Sequence, residues 1–300
     1  MDTSKQARTK PRAKPAPDLP VSVAILPALA AILLFSFSQQ SQAQQVTKST
    51  SSNAASKLPS KVPGKPSNLP STPSGSTNDV QQLLASGQVA QDNGRFDEAI
   101  ATYNRVIALS ANNPKNTALA NFRIGNVYMV RGKFENAAIG YQRAVTLNPD
   151  YAEAYNNLGE ALGELKQYPR AIEAFTRAFA LDPTLLKAKY NQAVTYDRMG
   201  NFRYSEFVFR NLIKSSPQYS LAYDGLAVTL SKAGRAQEAI AFHEKAIALN
   251  PREPSYYFNC AISYLMLKNT AKALEQQEKL KAIDPAIADR LASVIVKRQL

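Results

Sequence analysis

Residues 152–183 read AEAYNNLGEALGELKQYPRAIEAFTRAFALDP. Apolar residues recur at helical spacing through both halves, which makes the stretch two amphipathic helices joined by a short turn. The unit returns along the chain: Pro149, Pro183, Pro217, Pro251 and Pro285 stand 34 residues apart. Ala137, Ala171, Ala239 and Ala273 keep the same register, with Ser205 in the one remaining slot. A fixed period of this length predicts a solenoid, because each unit carries an apolar face that only the next unit can cover.

With Ala152 as position 1, six helix pairs occupy 80–117, 118–151, 152–185, 186–219, 220–253 and 254–287. Position 8 is small: Gly87, Gly125, Gly159, Ala193, Ala227, Ala261. Position 20, the Ala/Ser series above, is small as well, so the two helices of a pair cross closely. Position 24 is large (Tyr103, Tyr141, Phe175, Phe209, His243, Gln277) and is expected to fill the space between pairs. The period proline ends each second helix, since the residue before proline avoids the α region. Asp150, Thr184 and Ser220 then stand where the next helix wants an N-cap. Gly94, Gly132, Gly200 and Gly234 supply the turn inside a pair. Beyond the sixth pair, Ile287, Leu291, Val294 and Ile295 share one helical face, which predicts a capping helix over 288–300. The fold class is therefore all-α: a right-handed superhelical solenoid of six helix-turn-helix repeats plus the cap.

Upstream of the array lie two segments of different character. Lys5, Arg8, Lys10, Arg12 and Lys14 precede an apolar run from Val21 to Phe37, and Ser41-Gln42-Ala43 follows. The apolar centre, Val23 to Phe35, is about 20 Å long as a helix, short of the roughly 30 Å hydrocarbon layer. A basic start, short apolar centre and small-x-small end within 1–45 predict an export signal cleaved after Ala43, giving a periplasmic or lumenal protein. An uncleaved membrane anchor through residues 21–38 is the alternative, and both leave the array outside the cytoplasm. Residues 46–79 are rich in Ser, Pro and Lys, and 46–78 hold neither acids nor aromatics. Such a segment cannot bury enough apolar surface to offset its ordering entropy and reads as a disordered linker.

Charge and chemistry narrow the function. The 300-residue chain has 36 Lys/Arg against 23 Asp/Glu, a formal +13. Residues 1–79 contribute nine against three and residues 80–300 contribute 27 against 20, so the array is only mildly basic and no nucleic-acid partner is expected. The one histidine, His243, falls in the large core slot, and one imidazole without a neighbour builds no metal site. The one cysteine, Cys260, falls in an apolar slot and reads as a small core residue. No phosphate loop and no nucleophile elbow occurs. The chain is expected to be no enzyme and to need no cofactor.

The segments GNVYMVRGKFENAAIGYQRAVTLNP (125–149) and GEALGELKQYPRAIEAFTRAFALDP (159–183) share one register without a gap. Over residues 80–287 the pattern resembles the tetratricopeptide repeat family, departing from it at Ala111, Ser205 and Gln277. The resemblance implies that positions 2, 5, 6, 9, 12 and 13 of each first helix line a concave groove that holds a protein or peptide segment. Position 6 carries Arg123, Asn157, Asn191 and Asn259, and a ladder of amides suits the backbone of an extended peptide. A carboxylate clamp known in the family would use Asn126, Asn157 and Lys187, but Phe122 and Asn191 stand where two of its cations belong. Phe258 and Ile262 in repeat six make an apolar end, open to an amphipathic partner or covered by the cap or a second copy. Position 26 forms a basic column of Arg105, Arg143, Arg177, Lys245 and Lys279. The functional expectation is a non-catalytic interaction scaffold; the alternative is the recruiting subunit of an envelope enzyme complex acting on cell wall or lipid.

Overall fold

The structure, a computed structural model, describes residues 77–297. The export-or-anchor segment, nearly all of the linker and the last three residues of the expected cap, 298–300, lie outside the described residues. Thirteen helices follow in order: α1 Thr77–Asp92, α2 Phe96–Leu109, α3 Pro114–Val130, α4 Phe134–Leu147, α5 Ala152–Glu164, α6 Tyr168–Leu181, α7 Leu186–Arg198, α8 Phe202–Ser215, α9 Ser220–Lys232, α10 Ala236–Leu249, α11 Pro254–Met266, α12 Thr270–Lys281 and α13 Pro285–Lys297. Among the described residues there is no strand, and no helix is long and apolar enough to cross a membrane. Each helix packs on its neighbours in sequence, and first helices of successive repeats also meet, α5 on α7, α7 on α9 and α9 on α11. The result is a helical-repeat superhelix whose apolar core, among the described residues, falls into four buried clusters: in repeats one and two, two and three, four and five, and six with the last helix.

The small slot at position 8 exists for the ring at position 24. A Cβ on Gly87, Gly125 or Gly159 would stand 2.5, 2.6 and 2.6 Å from Cε1 of Tyr103, Tyr141 and Phe175 respectively. In repeats one to three, therefore, the ring lies over the glycine of its own pair. Repeat four carries Ala193 at that slot, and its ring, Phe209, seats on Gly225 of the next repeat instead. Full burial of such a ring stabilises the pair by about 2–3 kcal/mol.

The turn inside each pair needs one residue with positive φ. Gly94, Gly132, Gly200 and Gly234 provide it at φ +67° to +81°. Repeats three and six place Lys166 (φ 59°) and Lys268 (φ 58°) there, a strained choice for a residue with a Cβ.

The expected N-caps are corrected. Tyr151, Leu185 and Tyr219 take the N-cap positions of α5, α7 and α9, with no side-chain cap bond. Packing wins over capping here: the Tyr151 ring lies 4.9 Å from Phe122, and Tyr219 meets Tyr190 edge-on at 6.4 Å. Thr184 is held by Asp182 Oδ1, which accepts from its backbone N at 2.9 Å and its Oγ1 at 2.6 Å. Ser220 exchanges a hydrogen bond with the Tyr256 hydroxyl at 2.9 Å. Side-chain caps occur instead at Asn113 of α3, Glu253 of α11 and Asn269 of α12. The helix α13 covers repeat six, with Leu291 and Ile295 buried and Ile287 and Val294 packed beside them.

Candidate partner-binding surface

The first helices present a surface whose polar residues are bonded to one another across repeat junctions. Position 9 of one repeat meets position 6 of the next. Arg123 Nη1 donates to Gln88 Oε1 at 2.7 Å, and Asn157 Nδ2 donates to Asn126 Oδ1 at 3.1 Å. Asn191 Nδ2 donates to Glu160 Oε1 at 2.8 Å and to Asn156 Oδ1 at 3.2 Å. Lys187 Nζ joins Glu160 Oε1 at 2.7 Å, and Arg198 Nη2 donates to Glu164 Oε1 at 2.8 Å. Lys232 pairs with Asp197, and Asn259 Nδ2 donates to Asp224 Oδ2 at 2.8 Å. Adjacent repeats are thus stitched along the face expected to hold a peptide.

This geometry sorts the expected site residues. Arg123, Asn126 and Asn157 are half-buried and contiguous, and Lys187 follows at the same edge with 44% of its side chain exposed. Asn191 is buried with its amide nitrogen bonded on both sides. Asn259 is 1% exposed, beneath the repeat-six junction. The picture of a free amide ladder is corrected at these two positions, because burial of an amide requires an internal partner. Phe258 and Ile262 are also corrected: both lie in the cluster closed by Leu291 and Ile295, so the chain's own cap occupies the apolar end.

What remains available is a patch of donors. Asn126 Oδ1 accepts from both Asn157 and the Tyr141 hydroxyl, the latter at 2.8 Å, which fixes the amide and leaves its Nδ2 hydrogens uncommitted among the described residues. Arg123 spends one N–H on Gln88 and keeps the rest of its fork. Burial pushes the Tyr141 hydroxyl well above the usual phenol range, with the Glu160 charge adding to it. Tyr151 is raised to about 12, chiefly by burial, so both phenols stay neutral donors at physiological pH.

His243 is 0% exposed, and its surroundings were not visible in the sequence. Its Nδ1 meets Asp224 Oδ1 at 2.8 Å and its Nε2 meets Ser263 Oγ at 3.1 Å; Ser263 Oγ in turn meets Ser231 Oγ at 2.7 Å. The Asp–His–Ser order matches a hydrolytic relay in connectivity alone. Ser263 and Asp224 are buried too, so no substrate carbonyl reaches the hydroxyl. The relay ties repeat five to repeat six. Cys260 is 0% exposed and burial raises its thiol to about 12, which keeps it protonated and unreactive. Ser205 fills the small slot of repeat four and bonds Thr229 Oγ1 at 3.0 Å.

Stacked two-helix units stitched along their first helices define a helical-repeat scaffold. Tetratricopeptide repeat family models match residues 83–113, 125–166, 152–185 and 221–250, and the chain is a tetratricopeptide repeat protein. It is similar to anaphase-promoting complex subunit 3 of Schizosaccharomyces pombe, 22% identical over 162 residues that make up 54% of this chain and 24% of the relative. The chain thus spans about a quarter of that relative's length. Among solved structures, the MamA protein is 26% identical with TM-score 0.50, over 60% of this chain and 96% of that one. A tetratricopeptide repeat protein from Parabacteroides merdae ATCC 43184 is 20% identical with TM-score 0.63, over 74% and 87%.

Proposed function

We propose that the protein is a non-catalytic scaffold that holds an extended protein segment along repeats two to four of its concave face. The observation that carries this reading is the donor patch of Arg123, Asn126 and Lys187, in which the one side-chain acceptor, Asn126 Oδ1, is already used internally. Preorganised donors suit backbone carbonyls and carboxylates of a bound chain. The test is in-cell crosslinking and pull-down with wild type against an Arg123→Glu/Lys187→Glu variant of equal helicity. Loss of the captured partner in the variant alone supports the reading; a partner retained by both sinks it.

The scaffold is further proposed to work outside the cytoplasm, exported or tethered by its N-terminal segment. The basic start, apolar centre and Ser41-Gln42-Ala43 motif support this. A reporter fused after residue 300 and active only in the cytoplasm would end this part of the reading without touching the first.

A further inference from the structure

We infer that the protein carries a second docking site, on the opposite face, for a peptide segment combining acidic and apolar side chains. The site is a pair of adjoining clefts between α4 and α6, the second helices of repeats two and three. Their volumes are about 590 and 780 Å³, and they share Gln142, Leu158, Leu162 and Arg170. Each is within the range of ligand-binding clefts.

One residue explains why the face opens here. Ala138 lines the cleft at position 21, where repeats one, three, five and six carry Ile100, Ile172, Ile240 and Leu274. Repeat four carries Glu206 there, so Ala138 is the smallest side chain at this slot among the six repeats. Apolar surface is left beside it, with Ile139 52% and Leu147 38% exposed.

The occupant follows from shape and charge. Both clefts open to solvent along their length. The α4 wall from Glu135 to Leu147 is about 18 Å long. An open trough suits a chain that enters and leaves, whereas a small molecule is usually enclosed over most of its surface. Arg143, Arg170 and Arg177 line it against Glu135 and Glu173, an excess of positive charge. Arg143 and Arg177 make no hydrogen bond or ion pair among the described residues, so their guanidinium forks remain available for carboxylates. The chain's own upstream segment is the wrong sign, since residues 1–79 hold nine Lys/Arg against three acids. The segment therefore belongs to another molecule.

The test selects displayed random peptides on full-length protein and measures the winners on two full-length variants. Ala138→Ile fills the cleft with the residue used elsewhere at this slot; Arg143→Gln/Arg177→Gln removes two exposed charges and leaves packing alone. The expected winners combine Asp or Glu with Leu, Ile or Phe, and bind each variant about tenfold or more weakly. Capture on the concave face stays unchanged, because neither variant touches it. Winners without acids, or winners that bind either variant as tightly as wild type, overturn the proposal. So does arginine-dependent binding of phosphatidylglycerol vesicles without any peptide enrichment, which would make the site a lipid surface. Dimerisation of wild type that Ala138→Ile abolishes would assign the trough to a second copy instead.

Discussion

Gly225 is the seat of the Phe209 ring: a Cβ on this glycine would stand 2.5 Å from Phe209 Cζ and 3.2 Å from Tyr190 Cε2. Position 6 of repeat five therefore has no side chain, while the same slot in its neighbours carries Asn191 and Asn259. The gap in the amide series is a packing consequence, created when Ala193 removed the notch in which repeat four would have seated its own ring.

Restoring the amide with Gly225→Asn should accordingly destabilise the protein by about 2 kcal/mol or more, since overpacking a closed core forces rings off their rotamers. Phe209→Leu in the same chain should recover part of the loss. Urea unfolding midpoints of the two single variants and the double variant measure the coupling.

Two residues bonded to Glu160 should differ sharply in worth. Asn191→Ala strips a buried amide from Glu160 and Asn156 and should cost about 1–3 kcal/mol. Lys187→Ala breaks a shorter but exposed ion pair and should cost less than about 1 kcal/mol, falling further at high salt. Equal losses in thermal or urea unfolding would contradict the burial argument.

His243→Ala should be among the most damaging single changes, at about 3 kcal/mol or more. It opens a cavity and leaves Asp224 Oδ1 and a buried serine short of a partner. Amide hydrogen exchange should show protection lost first in α9 to α12, because stability in an array is a sum over neighbouring junctions.

Lys166→Gly should raise stability by a few tenths to about 1 kcal/mol. It relieves a left-handed residue at φ 59°, offset in part by the added freedom of the unfolded chain. Lys268→Gly should behave alike, and a shift in urea midpoint reads both.

Stability should fall as pH rises from about 9 towards 12. Cys260, Tyr151, Tyr219 and Tyr264 are each raised to about 12, all chiefly by burial. Acids raised in the folded state hold protons that the unfolded chain has released, so above the unfolded values the unfolded state gains. Their contribution is complete at neutral pH and disappears through this window. Urea midpoints across the alkaline range should decline together with native thiol protection, measured by alkylation of Cys260.

The repeat, its register and the capping helix were legible because they depend on spacing along one chain. The Pro149-to-Pro285 series and the Ile287–Ile295 face state their roles without any partner. The N-caps were misread because Tyr151 and Tyr219 trade a cap bond for ring packing, a choice visible only once Phe122 and Tyr190 are in place. The Asn191 and Asn259 amides were misassigned for a related reason. Their partners, Asn156 and Asp224, stand 35 residues upstream, and only folding brings them into reach. Ala138 sits in plain view at a slot that otherwise holds three isoleucines, Leu274 and Glu206, yet its significance needs the cleft beside it.

The stitches between repeats have a consequence for how such a chain can be rearranged. Every junction uses a different pair: an arginine with a glutamine, two asparagines, a glutamate with an amide and a lysine, an aspartate with a lysine, an aspartate with an asparagine. Transposing repeats three and four would keep the period and every small slot, but would set Asn157 beside Val194 and part Asp197 from Lys232. The repeats share one shape but carry individual addresses, and their order is written into the molecule as firmly as their fold.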